Sequence, residues 1–255
     1  MIKDWSHYFY YILNSILINY KSWIFLAISL LILCEFNVTI FLTFTIGMFS
    51  SHLIHYWHHF EYSYPHNIIH DYHHRYNLLF NHFIQVVLEF VSIVGIIPFK
   101  YSFIDMVPFL SFIDDWIVIY YYFFYTTIHN INYTVFHVNH VHEIHHEVFL
   151  KNMGPDICDI IFGTKYKPEE TLENTDHYIP NIIICTLLVL VLKSIWKNST
   201  EPFQKWYLFL SKGLFYSSIL FLFVTSICLY KMDIDHTFEK DVDKIKECFK
   251  AKATD

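Results

Sequence analysis

The residues most able to do chemistry here are histidines: the chain has 255 residues and 18 of them are histidine. Nine fall between His52 and His82 and six between His129 and His146. Neutral imidazole is a good ligand for transition metals, and ring positions three or four residues apart share one face of a helix. Three groupings have that spacing. The first is His55-x-x-x-His59. The second is His70-x-x-His73-His74. The third is His142-x-x-His145-His146, with His129 upstream of it.

The third grouping lies in "HVHEIHHEVF" and reads in two ways. As His142-Glu143-x-x-His146 it is a zinc-peptidase pattern, in which Glu143 would be the general base. As His142-x-x-His145-His146 it is one of a set of metal-binding histidine boxes. A membrane zinc metalloprotease would leave His55, His59, His70, His73 and His74 without a role. It would also place its motif in an apolar helix, whereas "NHVHEIHHEVFLKN" is polar. The set of boxes is the reading adopted. Lone histidines such as His7, His177 and His236 are read as surface residues. Ligand histidines usually give their second ring N–H to an acceptor. Asp71, Glu143, Asp156, Asp159 and Asn152 are the nearest candidates for that work, and each can equally be a solvated or capping residue.

The elements that carry these residues are apolar helices. Hydrophobic residues make up 55% of the chain and charged residues 16%, too little polar surface for a soluble globule of this length. Stretches near 20 apolar residues suit a bilayer-spanning helix. Candidates are 8–33, 36–54, 83–99, 107–128, 181–196 and 213–230, the first interrupted by Asn14, Asn19 and Lys21. Between them lie polar, histidine-rich stretches at 55–82 and 129–180. Segments 83–99 and 107–128 form a hairpin turned around Pro98 and Pro108, its second arm starting near Trp116. An even number of crossings then brings both histidine-rich stretches to one membrane face. The expected fold is an all-α, multi-span transmembrane bundle with a histidine-rich, metal-binding cap. Its parts are a membrane segment at 1–35, a histidine-box region at 36–165, which the resemblance given below makes a catalytic domain with a di-metal cap, further membrane helices at 166–230 and a charged tail at 231–255.

The remaining features narrow the function. The formal charge of −7 and the lack of a basic run disfavour nucleic acid as a partner. The five cysteines are scattered with no C-x-x-C pair, which fits a reducing, cytosol-facing site. The N-terminus lacks a signal-peptide pattern and is read as retained. Aromatic residues at 120–125, "YYYFFY", are an interfacial belt or the lining of a lipid slot. No G-x-G-x-x-G fingerprint for a flavin or nicotinamide occurs. A non-catalytic metal-binding or transport protein is the other class, though most histidines lie outside the apolar spans.

With these motifs in hand, the sequence resembles the fatty acid hydroxylase / sterol desaturase superfamily of integral-membrane, non-haem di-iron enzymes. The order of boxes matches, as does the stretch after the last one, with Asn152-Met153-Gly154 and then Asp159-Ile-Ile-Phe162-Gly163-Thr164. The resemblance covers roughly residues 36–165. It implies metal ligation by His55, His59, His70, His73, His74, His129, His142, His145 and His146. Asn152, Asp159 and Glu143 are then candidates for hydrogen bonding to those ligands. His137 and His140 match less well, because the segment between His129 and His142 is short. Met153 replaces the family's usual Tyr, and the apolar segments after Thr164 are additional. The resemblance further implies two iron ions, replaceable by zinc, with O2 as co-substrate and a sterol or fatty acyl lipid as substrate. Electrons would come from cytochrome b5 with its NAD(P)H reductase or from a ferredoxin-type donor. The expected location is the endoplasmic reticulum, with the site facing the cytosol.

Overall fold

The computed structural model describes residues 5–34, 37–58, 79–103, 106–148 and 150–202, with isolated positions from 204 to 220. Every regular element among them is helical. In chain order they are α1 (Trp5–Ile18), α2 (Tyr20–Cys34), α3 (Val38–His58), α4 (Leu79–Val94) and α5 (Ile96–Phe103). A 3-10 turn (Pro108–Phe112) leads to α6 (Asp115–Thr126), which passes directly into a π-helix (Thr127–Val135). Two short helices, α7 (His140–Glu147) and α8 (Asp156–Phe162), precede a 3-10 turn (Asp176–Tyr178) and α9 (Ile179–Lys197).

The core is a four-helix contact. Leu26, Leu30 and Leu33 of α2 meet Ile40 and Phe44 of α3, Ile117, Tyr120 and Tyr121 of α6, and Ile182, Cys185 and Val189 of α9. Within each helix these positions recur every three or four residues, so each contributes one stripe. The opposite face of α9 stays apolar and uncovered, with Ile184, Leu187, Val191 and Ile195 each more than half exposed. The segment Asp176–Lys197 is long and apolar enough to cross a membrane.

Two details differ from the sequence expectation. The apolar run at 8–33 is two helices meeting at 72°. The bend falls at Asn19, whose amide is claimed by another part of the chain. Its Nδ2 donates to Glu173 O at 2.9 Å and its Oδ1 accepts from Thr175 N at 2.7 Å. Ser22 Oγ lies 2.5 Å from Thr175 Oγ1 beside it. Pro98 does not turn the hairpin but sits in the first turn of α5, where its missing N–H costs nothing. The chain instead breaks at Gly95 and reverses between Phe103 and Asp114.

Caps fix the ends of the hairpin's second arm and of the site helix. Asp114 Oδ1 accepts from Ile117 N at 3.0 Å and opens α6. Asp115, an apparent blemish in an apolar arm, pairs with Lys100 Nζ at 2.8 Å. Asn139 opens α7, accepting from Val141 N at 3.0 Å. Gly163 closes α8 at φ 72°, a left-handed conformation that favours glycine. The antiparallel arms α4 and α6 pack with Phe90 edge-on to Tyr122, 5.5 Å between ring centres. Together they deliver His129 to the same end of the bundle as the last turn of α3.

Candidate metal centre

Four of the predicted ligand histidines come together from three separate elements. His55 belongs to α3, His129 to the π-helix, and His142 and His145 to α7. Ring centres are 4.8 Å apart for His55 and His145, and 5.0 Å for His129 and His142. They are 5.5 Å apart for His142 and His145, and 6.5 Å for His55 and His129. His55, His129 and His145 are buried. His137 and His140 are exposed. His59, His70, His73 and His74 lie outside the described residues, as do the side chains of His146 and Glu143 on α7. Among the described residues no three His, Cys, Asp or Glu side chains are grouped closely enough to hold a metal between them. The four rings are thus one part of the predicted set.

What orients these rings is mostly backbone. His145 Nδ1 lies 3.0 Å from Lys151 O, and His55 Nδ1 lies 3.2 Å from Met153 O. A carbonyl only accepts, so each Nδ1 carries the proton and each Nε2 keeps its lone pair, the tautomer a metal needs. Burial pushes the His145 imidazole down to about 4, so it is neutral at physiological pH. The neighbouring His52 uses the same strap, its Nδ1 3.0 Å from Gly154 O and its Nε2 3.3 Å from Thr164 Oγ1. Three carbonyls within four residues, 151–154, therefore aim three imidazoles.

That strap is itself held from below. Asp159 Oδ1 accepts from Met153 N at 2.9 Å and Thr164 Oγ1 at 2.6 Å, and its Oδ2 accepts from Gly154 N at 2.7 Å. Asn152, at φ 50°, ties the strap to α7 and to the chain beyond α8. Its Nδ2 donates to Val141 O at 3.1 Å and its Oδ1 accepts from Tyr166 N at 2.9 Å. Both residues hold the main chain whose carbonyls meet the histidines, and Asp159 Oδ1 also lies 4.0 Å from His52 Nδ1. Asp156 pairs with Lys165 Nζ at 2.5 Å and accepts from Glu173 N at 2.6 Å.

His129 is oriented differently, by a carboxylate the sequence reading did not name. Its Nδ1 lies 2.6 Å from Glu89 Oε1, on α4. Glu89 also accepts from Thr126 Oγ1 at 2.7 Å, Asn130 Nδ2 at 2.9 Å and Gln85 Nε2 at 3.2 Å. A lone buried acid in an apolar helix is the signal that could have found it. A carboxylate on the back of a ligand imidazole raises its basicity and fixes its angle. Glu89→Gln is therefore expected to weaken metal binding about 10- to 100-fold. Titration of chelator-stripped protein with Fe(II) or Zn(II) checks this, and an unchanged affinity would remove Glu89 from the site.

His142 stacks on Tyr133, 4.5 Å between ring centres and 13° between planes. The Tyr133 hydroxyl contacts Glu173 and the Tyr178 hydroxyl, and Asn139 Nδ2 donates to Glu173 at 2.7 Å. Burial, with Asp156 nearby, pushes the Glu173 carboxyl up to about 7. A cavity opens beneath, bounded by His55, His129 and His142 on one side and Asn19, Ser22 and Glu173 on another. Leu26, Phe44, Met48 and Phe124 supply apolar wall, and Asn152, Asp156, Asp159 and Thr175 also line it.

No family model, curated protein or solved structure matches the chain.

Proposed function

We propose that this chain is a membrane-bound, O2-dependent lipid hydroxylase or desaturase built around a histidine-ligated di-iron centre. The observation that carries the reading is the meeting of His55, His129, His142 and His145 above a mostly apolar cavity. Histidines spread over 90 positions of sequence converge by tertiary folding, and the Nδ1 atoms of His55, His129 and His145 meet oxygen acceptors. Surface or capping histidines have no need of that.

When bound, a pair of irons supplies the cleavage of O2 that breaking an aliphatic C–H bond requires. The chain's own contribution is positional. The 151–154 strap and Glu89 hold imidazoles neutral and aimed. The apolar walls admit a hydrocarbon and exclude water from the reacting carbon. Membrane embedding supports a lipid substrate: α9 presents an uncovered apolar face, and α1–α2 and α3 are apolar helices of the same bundle. A multi-span topology, a cytosolic site in the endoplasmic reticulum, and cytochrome b5 with its reductase or a ferredoxin-type donor follow from the family resemblance.

Purified protein is expected to carry about two iron or zinc ions per chain, as the paired-metal reading requires. Cells expressing it should gain an oxidised lipid that vanishes without O2. A metal-free protein together with an unaltered lipid profile would sink the proposal.

A further inference from the structure

α1 and α2 meet at 72°, and the level of that corner in the bundle is fixed. α2 and α9 run side by side in the same direction, tied near both ends. Lys21 Nζ meets Asp176 Oδ2 at 3.0 Å, and Lys193 Nζ donates to Leu33 O at 2.7 Å. The corner residue Asn19 is bonded to Glu173 O and Thr175 N, just ahead of α9. With α9 across a membrane, α2 crosses beside it, and the partly exposed Lys21–Asp176 pair marks the level where both enter. A span tilts by about 20° from the bilayer normal, which leaves α1 within roughly 40° of the membrane plane.

α1 has two unlike faces. One packs against α8, with Tyr8 Oη 3.8 Å from where a Cβ on Gly163 would stand. Ser15 and Asn19, on that side, are buried. The other carries Phe9, Leu13, Ile16 and Leu17, the i, i+4, i+7, i+8 stripe of one helix face. All four are exposed, Phe9 at 69% and Leu17 at 58%. No Asp, Glu, Lys or Arg occurs from Trp5 to Ile18, so no charge on this helix resists leaving water. Tyr8, Tyr10 and Tyr11 fall in its first two turns, and tyrosine is enriched where a bilayer meets water. Helices lying in that boundary bury an apolar face about 5–10 Å deep, which one row of Phe and Leu side chains reaches.

We infer that α1 lies in the plane of the membrane rather than across it. Its partner is the boundary between headgroups and acyl chains: Phe9, Leu13, Ile16 and Leu17 reach into the acyl chains, and the opposite face carries α8. α8 bears Asp159, which holds the strap that aims His55 and His145. α1 thereby sets the depth of the histidine end, holding it at the membrane surface. The inference rests on α9 crossing the membrane, which it shares with the proposed function. It is independent of metal and of substrate.

Depth-dependent fluorescence quenching of the full chain in nanodiscs tests it. An encoded fluorescent amino acid replaces Phe9, Leu13 or Leu17 on α1 and, for comparison, Ile184, Val191 or Ile195 on α9. All six positions are exposed, so the probe leaves the core intact. The nanodiscs are phosphatidylcholine brominated either near the headgroup or near the chain ends. The three α1 probes should all be quenched best by the shallow bromines. From Phe9 to Leu17 depth should change by about 4–7 Å, against about 12 Å for an upright helix. On α9, Ile184 should respond to the deep bromines and Ile195 to the shallow ones. A change of about 12 Å along α1 would overturn the inference. So would α1 probes that no lipid quenches while α9 is quenched, the result expected if a second copy or another part of the chain covers the stripe. Loss of quenching on α9 as well defeats the membrane reading and this inference together. A metal-free protein with the expected depths defeats only the di-iron reading, so the two failures are distinguishable.

Discussion

His145→Ala is expected to yield a folded protein that has lost at least one metal ion per chain and at least about 100-fold of its product formation. The magnitude follows from scale: even an outer partner of a metal ligand is worth 10- to 100-fold, and a ligand should exceed that. His145 is the most constrained ring of the four. It is 2% exposed, its Nδ1 is bound to Lys151 O, and its ring lies closest to His55. Burial holds it neutral, so no proton competes with the metal at neutral pH. Folding should survive, because the core of Leu26, Phe44, Tyr120 and Ile182 lies elsewhere. Metal content by elemental analysis, with product formation measured on the same preparation, decides the matter. Full metal content in a folded His145→Ala protein would remove this ring from the centre.

Asp159→Ala should be the most destabilising change in the site, at about 3–5 kcal/mol. Its carboxylate accepts from Met153 N, Gly154 N and Thr164 Oγ1, and each buried group left without its partner costs about 1–3 kcal/mol. For a chain of this size that is a fall of roughly 10 °C in Tm. The same change frees the strap whose carbonyls aim His55 and His52, so metal affinity should drop along with stability. Asp159→Asn keeps one acceptor oxygen and should fall between the two. Thermal unfolding in a mild detergent, with and without added metal, reads both effects. A loss of stability under about 1 kcal/mol would mean that the strap is held by something other than Asp159.

Much of this arrangement was legible beforehand. Apolar period and length marked α3, α6 and α9 to within a few residues. The even number of apolar arms between His55 and His142 predicted that they share one end, and their rings do. Asp159 and Asn152 were singled out from the pattern after the last histidines, and they hold the loop that aims the rings. What stayed hidden has a physical reason in each case. The acceptors for His55 and His145 are main-chain carbonyls, which every residue possesses and no sequence pattern advertises. Glu89 became meaningful only once α4 packed against the π-helix. The bend at Asn19 depends on Thr175 and Glu173, more than 150 residues away. Local sequence showed only that an asparagine interrupts an apolar run.

The π-helix at 127–135 bears on how this chain should be compared with others. Its hydrogen bonds skip one residue more than those of the α-helix feeding it. Each such widening amounts to a single-residue insertion absorbed without a loop. His129, Asn132 and Tyr133 all lie within it. A homologue lacking the insertion would differ by one position after Thr126 and rotate everything downstream by about 100°. Identity scored across this stretch without a gap would then pair residues that point about 100° apart around the helix.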